Sequence, residues 1–353
     1  MENFGKGIYV WQGKSIFSSN LGELINYIGY LKLDHIMLKI GDAANNGSRS
    51  YSDMKSAVEV IRKQFPAMKI LGWHYIYCGA WLDKLGRIRY DNIASPESEA
   101  NFAKAQIKAL DLDGYVIDAE RELKFGFGDN DRTKNPAFRA ERFMGTLKGI
   151  GVPVALASYR FPNYHRDFPW ESFLNSSLLQ YHMPQVYWGN YEHASIQELT
   201  NSIRQLKALK DIPFIPTGRA YIGDGHPDPK PFEIYEFTKL ARDLNLAGVN
   251  YWAMDFLLKH PNGALRSIVI RDFDWELDQP NVPPIVIPVG EKYRVVCNIL
   301  YKRKGPGKQY KIEGSLKYGD QITVYKKEYG DYVWGLIDPE KSIWCAINYA
   351  VKI

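Results

Sequence analysis

The sequence predicts an α/β protein, a (β/α)8 barrel of the TIM type followed by a small all-β barrel, and three observations carry that reading. Short apolar, β-rich runs alternate with helix-length amphipathic segments, the pattern of repeated βα units around a parallel sheet. Eight such units occupy about 270 residues, the usual size of a (β/α)8 barrel. After a proline-rich break the text turns to short strands separated by Gly and Asp.

The strands read in order are 7–11, 35–41, 70–77, 114–120, 152–160, 182–188, 213–222 and 248–255. Between them, amphipathic stretches predict helices near 21–32, 52–65, 96–111, 136–149, 168–178, 195–209 and 231–245, with a last one near 262–270. Two starts are marked locally. Ser52 precedes DMKSAVEVIRKQF, and Ser95 is followed by Pro96 and then by Glu97 and Glu99, an N-cap with proline at the first helical position and acids in the first turn. An open doubly wound sheet would normally carry a GxGxxG phosphate turn after its first strand, and WQGKSIFSSN has none. The barrel is therefore preferred, as a domain over residues 1–275. Four prolines and no helical period make 276–290 a linker, and 291–353 a second domain.

Composition is that of an ordinary globular chain: 353 residues, 45% hydrophobic and 24% charged, which is enough for a full core. No apolar run reaches the roughly 18 residues of a membrane span. Residues 283–353 hold 12 Lys and Arg against 7 Asp and Glu, so the net charge of +5 lies entirely in the tail. That points to an anionic partner or to a solvated Lys-rich surface. The chain lacks any nucleic-acid motif, and its seven histidines show no HxH or HExxH spacing, so neither nucleic acid, a metal nor another cofactor is expected. Cys78, Cys297 and Cys345 are too scattered for a disulfide framework, and buried thiols are expected.

The chemistry centres on DGYVIDAE, residues 113–120, which closes the fourth strand on Asp118 and Glu120. Side chains two apart on a strand share a face, with Cα atoms roughly 6.6 Å apart. Paired carboxylates at such a separation suit glycoside hydrolysis, one protonated to donate and one ionised. An ionised neighbour would also help keep Glu120 protonated near neutral pH. An isolated Asp-x-Glu is common and more often caps a helix or pairs with a neighbour such as Arg121. Its position raises its weight, because barrel enzymes keep their sites at the C-terminal ends of the strands. Those ends are rich in groups that bind sugars: Trp11, Lys39, Tyr75, Tyr159, Arg160, Gln185, Tyr187, Trp188, Trp252 and Asp255. For each aromatic taken singly, core packing is an equal reading. His165 and His182, near strand ends, read as structural.

The tail resembles a bacterial SH3 domain through Leu300 and Arg303 before Gly305 and Pro306, the run GSLKYGDQITVY at 314–325, and Trp334, Trp344 and Tyr349. That resemblance implies a module binding cell-wall peptides or glycans. The basic loop KRKGPGK, 302–308, departs from the usual small polar version. The barrel is similar to glycoside hydrolase family 18 at Asp113, Gly114, Asp118 and Glu120, with Val116 standing where that family has a further acid. It also looks like family 25, the lysozyme-like muramidases, at Asp-x-Glu and at GIYVWQG, with Tyr9 near where that family carries an acid. The layout is closer to a family 25 endolysin. SYRFPNYH and MPQVYW also resemble an uncharacterised group of barrel proteins.

These resemblances imply a retaining, substrate-assisted hexosaminidase. Glu120 would be the general acid, and Asp118 would orient the substrate's acetamido group. Tyr187 would bond the acetamido carbonyl, and Trp252 would floor the sugar subsite. The expected partners are peptidoglycan or a related N-acetylhexosamine glycan for the barrel and a wall ligand for the tail. The other reading is a non-catalytic glycan-binding or adhesion protein on the same barrel. MENFGKGIYVWQG leads almost directly into a strand and shows no secretory signal, yet the expected location is extracellular or wall-associated, a phage lysin included.

Overall fold

The computed structural model describes residues 4–11, 21–44, 54–191, 193–223, 228–259, 263–275, 291–338 and 343–353. The linker expected at 276–290 and the cap expected at Ser52 lie outside the described residues. The chain divides into two compact units, Met1–Pro229 with Glu236–Trp275, and Lys230–Tyr235 with Glu276–Ile353.

The first unit is built on parallel strands β1 (Gly5–Val10), β2 (His35–Asp42), β3 (Lys69–Ile76), β4 (Gly114–Ala119), β5 (Val154–Ala157), β6 (Leu179–His182, resumed at Gln185–Val186), β7 (Thr217–Arg219) and β8 (Gly248–Trp252). The two halves of β6 end the sheet order on opposite sides, one beside β5 and the other beside β7. They are one chain interrupted at Met183 and Pro184, so the sheet closes on itself. Backbone bonds across the interruption complete the ladder: Met183 N donates to Leu156 O at 2.9 Å and Thr217 N to Pro184 O at 2.9 Å. Proline has no N–H to give, and only its carbonyl serves the neighbouring strand. Register then runs from β8 back to β1 through Gly5 with Gly248 and Ile8 with Tyr251. The result is a closed eight-stranded barrel.

Helices α1 (Leu21–Leu31), α2 (Met54–Gln64), α3 (Pro96–Leu110), α4 (Pro136–Leu147), α5 (Trp170–Leu174), α6 (Ala194–Leu209), α7 (Pro231–Asp243), α8 (Met254–Lys259) and α9 (Gly263–Asp272) follow the strands in alternation. The start of α3 is the one its sequence marks: Ser95 Oγ accepts from Ser98 N, and Pro96 opens the helix. The sixth strand begins three residues earlier than the sequence suggests, because LLQYH carries only a partial alternation.

Inside the barrel the strands contribute Tyr9, Met37, Leu71, Trp73, Val116, Ala155, Ala157, Tyr181, Met183 and Ile215 to one buried cluster, with Trp11, Tyr75 and Trp252 packed at its edge. Val116 is part of this apolar plug, and Asp118, two residues on, shares its face. The acid therefore emerges directly above a dry floor.

The described residues from 291 onward form β-sheets. One sheet orders Gln321–Val324, Glu291–Val295 and Ala350–Lys352; the other orders Ile312–Lys317, Ile299–Arg303, Ile343–Ala346, Val333–Asp338 and Lys326–Tyr329. Their core gathers Tyr293, Val295, Leu300, Ile322, Val324, Trp334 and Trp344. Cys78 and Cys345 are buried free thiols, and Cys297, expected to be buried, is half-exposed.

Candidate active site

Asp118 ends β4 between Tyr75 on β3 and Ala157 on β5. Only 4% of it is exposed, while Glu120, one step beyond the strand, is half-buried. Gln185, on the resumed half of β6, brings the two acids together. Its Nε2 donates to Asp118 Oδ1 at 3.0 Å and to Glu120 Oε1 at 2.8 Å. Both acids accept from the one amide nitrogen, which turns that nitrogen of Gln185 toward the pair. The two side chains expected to share a face thus converge on one amide.

Burial separates the two acids in a way the spacing did not indicate. Asp118 has its carboxyl pKa raised well above the usual range, first by burial over the apolar plug and next by the charge of Glu120. Lys39 and the Gln185 bond oppose that rise without cancelling it. Asp118 is thus an acid whose proton is favoured by its surroundings, a feature that the expectation of a protonated Glu120 beside an ionised Asp118 did not include.

Lys39, Arg121 and Arg160, the three cations expected near the acid pair, each hold another carboxylate. Lys39 is buried, lies 2.7 Å from Asp42 Oδ2 and sits over the Trp73 ring at 4.9 Å. Arg121 reaches Glu122 Oε1 at 3.1 Å. Arg160 pairs with Glu198 of α6 and covers Phe161. Glu198 also accepts from Gly189 N at 2.8 Å and from the Tyr191 hydroxyl at 3.1 Å, so Arg160 ties together the loops after β5 and β6.

The remaining expected residues separate into rim and interior. Tyr75 is half-buried and donates to Glu122 Oε2 at 2.6 Å; burial and then Glu120 push its phenol pKa up. Tyr159 stacks on His165 with ring centres 3.7 Å apart. Tyr187 packs edge-on to Tyr221, its phenol raised by burial first. Tyr159, Arg160, Phe161, Tyr164, His165, Gln185 and Tyr187 line a cleft of about 170 Å³, whose link to the acid pair is Gln185. Trp252 is half-buried near Tyr9 and Trp73, and its peptide bond to Ala253 is cis. Trp11 stacks flat on Phe256.

Two expected rim residues lie elsewhere. Trp188 is fully buried against Phe237, because it follows the inward-facing Tyr187 by one residue and so points to the helix layer. Gly218 makes room for it: a Cβ there would lie 3.1 Å from the Trp188 ring. Asp255 is 3% exposed and accepts from Trp11 N at 2.8 Å, fastening the end of β1. His182 is buried and bonded to Lys210 O, as a structural histidine should be, and burial lowers its pKa to about 4. A larger groove of about 720 Å³ runs along the outer wall past Met144, Phe168 and Trp170, away from the acids.

Sequence reasoning missed Glu122, Glu99 and Arg139. Glu122, 3% exposed, makes a third acid in DAERE, and its density of carboxylates was the available signal. Arg139 of α4 donates to the carbonyls of Tyr77, Cys78, Glu122, Phe125 and Lys134, so it pins the loops after β3 and β4 that carry the site. Glu99 of α3 accepts from the backbone of Tyr77 and Cys78 in the same knot. Among the described residues no group of three His, Cys, Asp or Glu could hold a metal ion.

Comparison with solved structures finds the same fold. The glycoside hydrolase domain of PgaB (BpsB) from Bordetella bronchiseptica is 12% identical, with 78% of this chain and 100% of that one covered at a TM-score of 0.52. The Bacillus cereus spore cortex-lytic enzyme SleL is 8% identical over 77% of this chain and 75% of that one, also at 0.52. Catalytic site mutants of active domain 2 of a chitinase from Pyrococcus furiosus give 10% identity, 72% and 85% coverage, and 0.51. No family model matches the chain, and no curated protein matches its sequence.

Proposed function

We propose that the barrel is a glycoside hydrolase that cleaves an N-acetylhexosamine glycan, peptidoglycan first and chitin-like polymers second. The observation that carries this reading is the single Gln185 amide nitrogen bonded to both Asp118 and Glu120 beside an aromatic cleft. At 3.0 and 2.8 Å from one nitrogen, the two bonded oxygens are at most about 5.8 Å apart. Inverting enzymes need roughly 6.5–9.5 Å between carboxyl groups to fit a water between them. That spacing favours a retaining route over an inverting one. Both acids also stand on one strand end, so neither reaches the opposite face of a sugar that the other protonates.

The nucleophile that remains is the substrate's own acetamido oxygen. The acid pair shares a proton, which rests on Asp118 in the open site. A sugar covering Glu120 strips its water and raises its proton affinity, while Asp118 gains the acetamido N–H as a partner for its anion. Glu120 then gives the proton to the glycosidic oxygen as the bond to C1 breaks, and the acetamido oxygen closes on C1. Water opens that ring from the free face and returns a proton to Glu120. In this reading Tyr187 would hold the acetamido carbonyl and Trp252 the sugar face. The three similar structures, a glycoside hydrolase domain, a cortex-lytic enzyme and a chitinase, support this class of substrate.

The second unit, read as a bacterial SH3-like domain beyond a linker at 276–290, would hold the enzyme on an extracellular wall. Replacing Glu120 with Gln should cut release of reducing ends from peptidoglycan or chitin oligomers by at least about 10³-fold, within the range of a lost general acid. Full activity in that variant sinks the proposal. A barrel that only binds glycan is the second reading, favoured by the apolar Val116 beneath Asp118. It predicts binding with no turnover in the parent protein.

A further inference from the structure

The charge of this protein is concentrated on one hairpin. Residues 302–317 contain six Lys and Arg and one Glu, a net of +5 that equals the excess of the whole chain. The rest of the predicted C-terminal domain, 291–301 with 318–353, balances six cations against six acids. A surface charged for solubility alone mixes both signs, whereas a single-sign field over so short a segment attracts an opposite polymer.

The hairpin is also built to hold its cations in place. Ile299–Arg303 pairs with Ile312–Lys317, which forms the edge of its five-stranded sheet. Arg303 donates from one nitrogen to Lys308 O and Tyr310 O, both at 2.8 Å, and so closes the connecting loop. Lys304 N donates to Lys311 O at 3.1 Å, and a Cβ on Gly305 would sit 2.5 Å from the Tyr310 ring, so the loop folds tightly on itself. Lys304, Lys308, Lys311 and Lys317 stand exposed on this frame, Lys311 to 81%. Exposed Tyr301 and Tyr318 flank them. Holding cations on an ordered loop lowers the ordering cost of binding.

We propose that this hairpin binds an anionic phosphodiester polymer of the cell wall, and so adds a charge-read attachment to the glycan read by the barrel. The choice of a wall polymer rests on the function proposed above; the preference for a polyanion rests on the hairpin alone. Four lysines contacting phosphates, each contributing about 0.7 to the salt slope, would weaken binding about 50-fold between 50 and 200 mM salt.

The test uses the full chain carrying Glu120→Gln, so that no wall is digested. Its binding is measured on purified walls bearing polyol-phosphate polymer, on the same walls stripped of it, and on duplex DNA. The expected result is a preference of tenfold or more for intact over stripped walls. Lys304→Gln, Lys311→Gln and Lys317→Gln together should erase the preference and lower the salt slope by about 2. Arginine at the same three positions should restore both, which a merely structural role for these side chains would not require. Equal binding to stripped walls, or no effect of the glutamines, overturns the proposal. Tighter binding to DNA than to intact walls overturns it in favour of nucleic acid. Because the readout is binding, failure of the hydrolase reading would show separately, as absent reducing ends from the unmutated chain.

Discussion

Gln185 Nε2 stands 2.8 Å from Glu120 Oε1, and the second hydrogen on that nitrogen serves Asp118. A neutral amide on the sixth strand thereby holds two acids from the fourth, across the intervening β5. This arrangement makes Gln185 a positioning residue, because it fixes the acids without carrying a proton itself.

Replacing Gln185 with Leu should lower kcat about 100-fold, as for loss of one well-placed donor. The bond favours the ionised form of Asp118. Without it the proton affinity of the pair rises, so both limbs of the pH profile of kcat/KM should move to higher pH. A profile that keeps its position while activity falls would show Gln185 to be mere packing.

The barrel was legible because its two periods, near 2 in strands and 3.6 in helices, alternate with few irregularities. Asp118 and Glu120 followed from the same strand parity. Applied to the sixth strand, that rule would also have parted Gln185 and Tyr187 from Trp188, which the sequence reading grouped together. Lys39 was harder to place, since a register shift between Lys39 and Gly41 breaks the alternation on β2. Nothing local could have announced Arg139, whose carbonyl partners lie up to 62 positions away in sequence. The raised carboxyl pKa of Asp118 was hidden for a related reason. It depends on an apolar floor assembled from many strands.

Two tryptophans that look equivalent in the sequence should behave differently. Trp188 is fully buried against Phe237, so Trp188→Ala should cost about 3–5 kcal/mol of stability, read as a lower urea midpoint. Trp252 is half-buried at the edge of the barrel interior. Trp252→Ala should cost less stability and should weaken binding of an N-acetylglucosamine oligomer at least tenfold. If Trp188→Ala instead leaves the midpoint unchanged and abolishes oligomer binding, the division of these residues between core and rim is wrong.

Glu99 links the stability of the site to pH. Burial raises its carboxyl pKa from 4.5 to about 8, against the opposing bonds from the backbone of Cys78 and Tyr77. Between those values the folded chain binds more protons than the unfolded one, so its contribution is fully present below about pH 4.5 and is lost as pH rises through 8. The loss is of the order of a few kcal/mol. Glu99→Gln keeps an acceptor for the same N–H groups but cannot ionise. Its unfolding free energy relative to the parent should therefore improve steadily from pH 5 to pH 8, measured by urea titration at each pH. Because Tyr77 and Cys78 continue the strand that presents Tyr75 to the acids, turnover at pH 8 should become less sensitive to heat in the same variant. A stability gap that stays flat across this range would mean that Glu99 titrates in the folded protein as it does in the unfolded chain, with no raised pKa.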